Sequence, residues 1–180
     1  ANVAVILLCG SVVDLGWADE VKSILLMHLG GEAVGGAVAD LVSGAVSPSG
    51  KLAESWSLRL EDTPCYRYFP GYTRTVEYRE SIFVSYRYYD TAKMAVRYPF
   101  GHGLSYASFS YHNLHLSAQR LDAGETLQIT LDVTNTGGVS GAEVVQLYVA
   151  HRSNVMFAPE QELKGFEKVL LAPNETKTVA

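Results

Sequence analysis

The sequence predicts an α/β region followed by an all-β sandwich that is incomplete at its C-terminus. A run that is apolar at every position, residues 3–8, is typical of a strand covered on both faces. Residues 127–134 instead alternate apolar and polar side chains, which indicates a strand with one buried face. We therefore expect two regions, with the change from α/β to all-β after Tyr106.

The first strands of the α/β region are predicted from apolar runs. The run at residues 3–8 is stopped by Gly10 and Ser11. Residues 23–29 form a second run, which also fits a helical stripe, but it is short and is ended by two glycines. We interpret it as a strand.

A helix is predicted over residues 32–43. Its larger apolar side chains recur at the spacing of one helical face, at Val34, Val38, Leu41 and Val42. Small residues such as Gly36 should let this helix pack closely on a sheet, and Gly44 should end it as the C′ residue. A turn then leads to a short strand at residues 52–56.

The stretch from residue 60 to residue 100 is irregular and rich in tyrosine. It holds seven of the 11 tyrosines, namely Tyr66, Tyr68, Tyr72, Tyr78, Tyr86, Tyr88 and Tyr89. It is too aromatic to be disordered, and we expect it to wrap over a neighbouring surface. Packing between domains is favoured over the lining of a substrate cleft, and no single tyrosine is singled out.

The remaining strands are predicted at residues 109–116, 127–134, 144–150, 166–171 and 176–180. Short strands separated by turns indicate a sandwich of the immunoglobulin or fibronectin type. Such a sandwich has about seven strands, so this one should be incomplete. An unpaired strand edge would then favour self-association.

The motif PFGHGLSY, residues 99–106, should form the corner between the two regions. Pro99 lacks an N–H donor, while Gly101 and Gly103 can adopt positive φ angles. His102 lies between these glycines, and we interpret it as a structural histidine rather than a catalytic base.

Composition and charge exclude several classes of partner. The 14 basic and 19 acidic side chains give a net charge of −5, so a nucleic-acid partner is not expected. The longest apolar runs fall far short of the roughly 20 residues of a membrane-spanning helix, so no membrane partner is expected. Cys9 and Cys65 lie in no paired motif, and we expect two reduced thiols.

Motifs for nucleophilic or metal chemistry are absent from the sequence. Ser47 and Ser49 follow Gly44, but the nucleophile-elbow pattern G-x-S-x-G does not occur. No metal-binding spacing joins the five histidines, His28, His102, His112, His115 and His151. Of these, His112 and His115 could share a face only if their strand is bulged. No metal or cofactor is therefore expected.

Two further stretches could carry chemistry, and both have simpler explanations. The glycine-rich loop at residues 30–36 precedes the predicted helix, as in an anion-binding loop, but close packing explains its glycines equally well. Glu77 and Glu80 form a close pair of carboxylates. Neighbours on one strand cannot face each other across a glycoside, so an ion pair with an arginine is the expected role.

Five motifs in order resemble the C-terminal half of glycoside hydrolase family 3 enzymes of the three-domain type, most often β-glucosidases. They are SPSGKL at 47–52, VEYRESIFVSYRYYD at 76–90, YPFGHGLSYASF at 98–109, VTNTGGVSGAEVVQLYV at 133–149 and ELKGFEKVLLAPNETKTV at 162–179. The resemblance covers nearly the whole chain. Val34 departs from the family, since relatives often have glycine there.

The resemblance implies a fragment of a retaining, exo-acting β-glucosidase. Residues 1–108 would be the distal part of the α/β sandwich domain and residues 109–180 the beginning of a fibronectin type III-like domain. The family carries its catalytic aspartate on a barrel and its acid/base glutamate earlier in the α/β domain. No catalytic residue is therefore assigned here, and the isolated chain should be an inactive scaffold that meets β-glucosides only through the missing barrel.

Two alternatives remain open at this point. One is a stand-alone carbohydrate-binding or adhesion module, and the other is association with a separately encoded barrel subunit. The cellular location is equally open, with the cytoplasm favoured slightly over secretion. One glycosylation sequon, beginning at Asn174, is weak support for secretion.

Overall fold

The computed structural model describes residues 2–71, 74–150, 152 and 157–180. The chain divides into two compact units, each made of three segments. The first comprises Ala1–Ala39, Lys51–His102 and Tyr148–Lys164, and the second Asp40–Gly50, Gly103–Leu147 and Gly165–Ala180. Within the described ranges, no helix is both long and apolar enough to span a membrane.

The first unit begins with two parallel strands. β1 (Ala4–Leu7) pairs with β2 (Ser23–Leu26), with Ala4 opposite Ser23. Both predicted strands are confirmed. β2 ends three residues before the predicted boundary, because His28 adopts a φ of +50° that is incompatible with extended backbone.

A small core supports these strands. Leu15, Ala18 and Trp56 are its buried members, and Trp56 is only 2% exposed. Cys9 packs against this cluster, and neither Cys9 nor Cys65 forms a disulfide, as predicted. Ala18 lies in a short 3₁₀ turn, Ala18–Glu20, between β1 and β2.

Helix α1 spans Val34–Ser43 and therefore begins two residues after the predicted start. Gly44 has a φ of +80°, which confirms its predicted role as the C′ residue. No side chain of α1 is buried among the described residues, and a Cβ built on Gly36 would meet no described atom within 4 Å. The expectation that Gly36 permits close packing on a sheet is therefore wrong within the described structure.

The middle of the chain holds a helix and a short strand that the sequence did not predict. β3 (Trp56–Ser57) and β4 (Val96–Tyr98) form an antiparallel pair, and α2 (Tyr86–Thr91) lies between them in the chain. Of the predicted strand at residues 52–56 only Trp56 lies in β3, so the prediction is wrong for residues 52–55. A second 3₁₀ turn spans Leu60–Asp62.

All five strands predicted for the C-terminal region are present. They are β5 (Phe109–Leu116), β6 (Ile129–Asn135), β7 (Gly141–Ala150), β8 (Gln161–Leu171) and β9 (Thr176–Val179). They form a three-stranded sheet in the order β5-β6-β9 and a two-stranded sheet of β7 and β8.

The core of the second unit is contributed by four of these strands. Its buried members are Val133, Val145, Val169, Leu171 and Val179, and Phe109 and Leu131 pack against them. The alternation that predicted β6 places Val133 in this core with no exposed surface. Asn135, on the same face, is also fully buried and donates from Nδ2 to the carbonyl oxygens of Val139 and Leu171, at 2.8 and 3.1 Å.

Candidate functional site

The corner motif is held by backbone and ring contacts. Leu52 and the corner exchange two hydrogen bonds of 2.8 Å, from Leu52 N to His102 O and from Gly101 N to Leu52 O. Gly101 has the predicted positive φ, +77°, whereas Gly103 does not. The His102 ring stacks on Tyr98 at 5.2 Å, and burial, aided by the charge of Lys51, lowers the pKa of His102. The lowered pKa favours the neutral form of this imidazole, and its contacts are those of a residue that supports the corner.

The serines that follow α1 have structural contacts. Ser47 Oγ lies 2.9 Å from Ser105 Oγ and accepts a hydrogen bond from Tyr106 N at 3.1 Å. Ser47 and Ser49 also border a cavity of about 450 Å³ in the second unit, together with the exposed Lys168. Through these contacts Ser47 holds the backbone at Tyr106 in place.

The histidines of β5 do lie at a bulge. His112 faces Asp132 and His115 faces Thr130 on β6, so β5 carries one extra residue, and Asn113 has a φ of +55°. His112 Nε2 lies 3.3 Å from a hydroxyl of β6. Even so, no three His, Cys, Asp or Glu side chains are grouped to hold a metal ion in the part of the chain that is described. His151 lies outside the described residues.

The glycine-rich loop is explained by contacts within itself. A Cβ on Gly30 would come within 2.5 Å of Val34 Cγ2, so the valine at this position requires glycine at residue 30. Gly31 has a φ of +69°, which also favours glycine.

Glu77 forms the ion pair that the sequence analysis expected. Its Oε2 accepts a hydrogen bond from Arg79 Nε at 2.5 Å, and both side chains are more than half exposed. The same guanidinium lies 4.7 Å from the centroid of the Tyr68 ring.

Glu80, unlike Glu77, lies in a turn. This turn spans residues 79–82, so the two glutamates are not neighbours on one strand as the sequence analysis assumed, and Ser81 within it has a φ of +53°. The carbonyl of Glu80 accepts a hydrogen bond from Phe83 N at 2.9 Å. Its Oε2 is buried without a hydrogen-bond partner, a condition that only Trp56 Nε1 shares among the described side chains.

Beside Glu80 lies a cavity of about 400 Å³, which we call the Glu80 cavity. Four aromatic rings help to line it, those of Tyr68, Phe83, Tyr88 and Phe157. Phe83 is buried, and its ring centroid lies 4.5 Å from that of Phe157. The cavity therefore has largely apolar walls, and the side chains that border it include those of Arg79 and Glu80.

The other tyrosines of this stretch have distinct roles. Tyr86 accepts a hydrogen bond from Leu163 N at 2.8 Å, and its ring lies 4.6 Å from Phe100. Tyr89 is 4% exposed, whereas Tyr78 is 81% exposed. The tyrosine-rich residues 60–100, which we call the aromatic stretch, thus pack largely within the first unit. Tyr72 lies outside the described residues.

Sequence reasoning named Glu80 and, within the tyrosine-rich stretch, Tyr68 and Tyr88, but it did not point to Phe83 or Phe157. It also paired Glu80 with Glu77 because they are close in sequence. The turn that carries Glu80 has a positive φ at Ser81, for which the sequence carries no recognisable signal.

Two family models match the chain. Residues 1–106 match the Glycosyl hydrolase family 3 C-terminal domain, and residues 143–180 match the Fibronectin type III-like domain.

Similar proteins are β-glucosidases by name. Thermostable beta-glucosidase B of Acetivibrio thermocellus is 48% identical over 99% of this chain and 24% of its own length. A GH3 beta-glucosidase from Bifidobacterium adolescentis superposes with a TM-score of 0.91 at 44% identity, covering 98% of this chain and 26% of the other. Beta-glucosidase 3B from Thermotoga neapolitana, in complex with glucose, superposes with a TM-score of 0.92 at 41% identity. This match covers 99% of this chain and 25% of the other. The chain thus spans about a quarter of the length of these relatives.

Proposed function

This chain belongs to glycoside hydrolase family 3, and on that premise we propose that it forms the scaffold of a retaining, exo-acting β-glucosidase. Residues 1–108 would complete the α/β sandwich domain, and residues 109–180 would form the fibronectin type III-like domain. The observation that carries this proposal is the 48% identity to a β-glucosidase over 99% of the chain. The whole enzyme would release terminal β-linked glucose.

Retaining hydrolysis sets a strict requirement on carboxylates. One attacks the anomeric carbon, and a second, about 5 to 5.5 Å away, protonates the leaving oxygen and later activates water. Glu77 is engaged by Arg79, and the Glu80 carboxylate lies in a turn with one oxygen buried. We propose that both catalytic carboxylates lie outside these 180 residues, so that no residue of this chain is catalytic.

The chain would then contribute support rather than chemistry. β-Glucoside substrates would be held by a barrel domain outside this sequence, and the aromatic stretch would stabilise the domain that faces it. A stand-alone carbohydrate-binding or adhesion module is not favoured, because the relatives named above are β-glucosidases that align with both units of the chain at once.

The outer edge of β9 provides a surface for self-association. β9 pairs with β6 on one side, and in the described sheet it is an edge strand. The unpaired N–H and C=O groups of an edge strand can form hydrogen bonds with a strand of another molecule. We therefore propose that the isolated chain self-associates through this edge. Sedimentation velocity at increasing concentration should show dimers or larger species, and a monomer at all concentrations would contradict the proposal.

Hydrolysis of an aryl β-glucoside tests the enzymatic proposal. The purified 180-residue chain should release no aglycone above background, whereas a longer protein that contains it and a barrel should turn over. Proton NMR of the first product should show the β-anomer of glucose. Turnover by the pure chain that is lost on a carboxylate-to-amide change within it would overturn the scaffold role, and an α-anomer would overturn the retaining mechanism.

A further inference from the structure

We propose that the cavity beside Lys168 binds a small molecule that joins a carboxylate to an apolar body. We call it the Lys168 cavity, and its volume is about 450 Å³. All of the residues that line it belong to the second unit. The site is therefore complete within one unit, and it is independent of the proposed function because it involves neither a barrel nor the hydrolysis of glucosides.

The Lys168 cavity lies on the outer face of β8. Lys168 and Leu170 are two positions apart on this strand, so their side chains share one face, and both residues are exposed. Val169 and Leu171 point to the other face and belong to the core. The turn after α1 and the beginning of β7 supply the other walls. A ligand therefore reaches the cavity from solvent without disturbing the core of the sandwich.

Lys168 provides a cation that the chain itself does not neutralise. Its ammonium group has neither an ion pair nor a hydrogen bond with the residues that the structure describes. Lys93, Lys164 and Lys177, by contrast, each lie 2.9 to 3.5 Å from a glutamate oxygen. No acidic side chain is found among the described residues that line the cavity. An anionic group that enters it therefore meets an available cation and no like charge on the walls.

Two serines offer further hydrogen-bond donors to the same group. The hydroxyl of Ser47 is engaged at the turn, but those of Ser49 and Ser140 form no hydrogen bond with any described residue. Ser140 is exposed, and Ser49 is half-buried. The Ser49 hydroxyl is not among the described polar atoms that are both buried and unpartnered, so solvent reaches it. Both hydroxyls can thus donate to the oxygens of a bound carboxylate.

The remaining walls favour a ligand with an apolar body. Val46 and Leu170 are each at least half exposed, and Ala142 adds a third apolar side chain to the lining. Contact with an apolar group would remove part of this surface from water, which is favourable. An inorganic anion makes no such contact. The combination of one cation, free hydroxyls and apolar side chains therefore matches an organic carboxylate better than sulfate or phosphate.

Charge and size agree with a small monoanion. One lysine balances one negative charge, and a hydrogen bond from an ammonium to a carboxylate is stronger than one between neutral groups. The volume of about 450 Å³ falls in the lower part of the roughly 300 to 1,000 Å³ range of small-molecule sites. The net charge of the chain is −5, so attraction at long range does not assist binding. Affinity must come from the contacts within the cavity.

NMR titration of the ¹⁵N-labelled 180-residue chain at constant ionic strength tests the inference. The ligands are benzoate, acetate, sulfate and benzyl alcohol, which separate the charge from the apolar body. Benzoate should produce saturable shifts at the amides of Ser49, Ser140 and Lys168. It should bind about fivefold more tightly than acetate or sulfate, because its ring contacts the apolar walls. Benzyl alcohol, which carries the ring without the charge, should produce no saturable shifts.

Variants show whether the named side chains provide the contacts. Lys168→Gln should weaken benzoate binding about tenfold, because a charge-assisted hydrogen bond is lost. Lys22→Gln removes the same charge from an exposed position of the first unit and should leave binding unchanged. Leu170→Ala should weaken benzoate several-fold without changing the affinity for acetate. Ser49→Ala is a second test of the polar contacts and should weaken both carboxylates several-fold.

Four results would overturn the inference. They are the absence of saturable shifts with benzoate, equal affinity for benzyl alcohol, affinity for acetate or sulfate equal to that for benzoate, and equal losses in Lys168→Gln and Lys22→Gln. Circular dichroism spectra of the variants show whether a loss of binding reflects a loss of folding. If Lys168→Gln is unfolded, Ser49→Ala decides, and unchanged benzoate binding in that variant would also contradict the site.

Discussion

The sandwich strands and the aromatic stretch are stabilised in different ways. The sandwich buries an apolar cluster in which Val133 and Leu171 have no exposed surface. The aromatic stretch buries fewer side chains, Phe83 and Tyr89, and is also tied by individual polar contacts, such as Ser55 to Ser85 and Leu163 to Tyr86. Stability in the first region is therefore spread over a shared core, whereas in the second single hydrogen bonds carry a larger share.

Truncation of the sandwich core should have the largest effect. Leu171→Ala removes a fully buried side chain and should lower the free energy of unfolding by about 3 kcal/mol. Its neighbour provides a matched control, because Leu170 is 64% exposed and Leu170→Ala should change stability by less than about 0.5 kcal/mol. Urea denaturation followed by circular dichroism measures both. Equal losses would mean that the core is not where the structure places it.

Removal of one hydroxyl tests the aromatic stretch. Tyr86→Phe keeps the ring but leaves Leu163 N without its acceptor, which should cost about 1 to 2 kcal/mol. Tyr78→Phe deletes the same hydroxyl from a side chain that is 81% exposed, so no measurable change is expected. The same denaturation experiment compares the two. A neutral Tyr86→Phe would show that this stretch does not depend on single polar contacts.

Substitution by alanine should change stability in opposite directions at two glycines, one within α1 and one before it. Gly36→Ala should stabilise the chain by about 0.5 to 1 kcal/mol, because it lies inside the helix and its Cβ would meet no described atom. Gly30→Ala should destabilise it, since its Cβ would come within 2.5 Å of Val34 Cγ2. Thermal melts measure both. Destabilisation by Gly36→Ala would restore the expectation that this helix face is closely packed.

At neutral pH the smallest effect concerns Tyr111, because its ionisation matters only above about pH 10. Partial burial of this side chain, which is 51% exposed, together with the neighbouring Glu143 carboxylate raises the pKa of Tyr111 to about 12. The phenol is then held neutral in the folded chain but ionises near pH 10 when unfolded, so its contribution is complete below about pH 10 and is lost towards pH 12. The stability difference between the wild type and Tyr111→Phe should shrink over this interval. A difference that is constant with pH would contradict the raised pKa.

The strands were predictable because their environment leaves a periodic signal. In β6, alternate side chains face the core, and the alternation through Val133 gave both the strand and its buried face. The end of α1 at Gly44 was equally predictable, because few residues other than glycine tolerate a φ of +80° at the end of a helix.

The rest depended on contacts that are distant in sequence. Helix α2 has six residues and no side-chain cap, and β4 has three residues, so neither produces a periodic pattern. The Glu80 cavity brings Phe157 to a turn more than seventy positions earlier. The packing of Gly36 was misjudged because small residues on a helix face indicate that close approach is possible, but not that a neighbour is present.

Covalent trapping tests most directly the claim that this chain is a scaffold without catalytic carboxylates. A 2-deoxy-2-fluoro-β-glucoside with a good leaving group labels the nucleophile of a retaining glycosidase and leaves the sugar attached, because the second step is slowed. Intact-mass measurement of the 180-residue chain after incubation should show no added sugar. One covalently bound fluoroglucosyl group per chain, mapped to an aspartate or glutamate within it, would contradict the account.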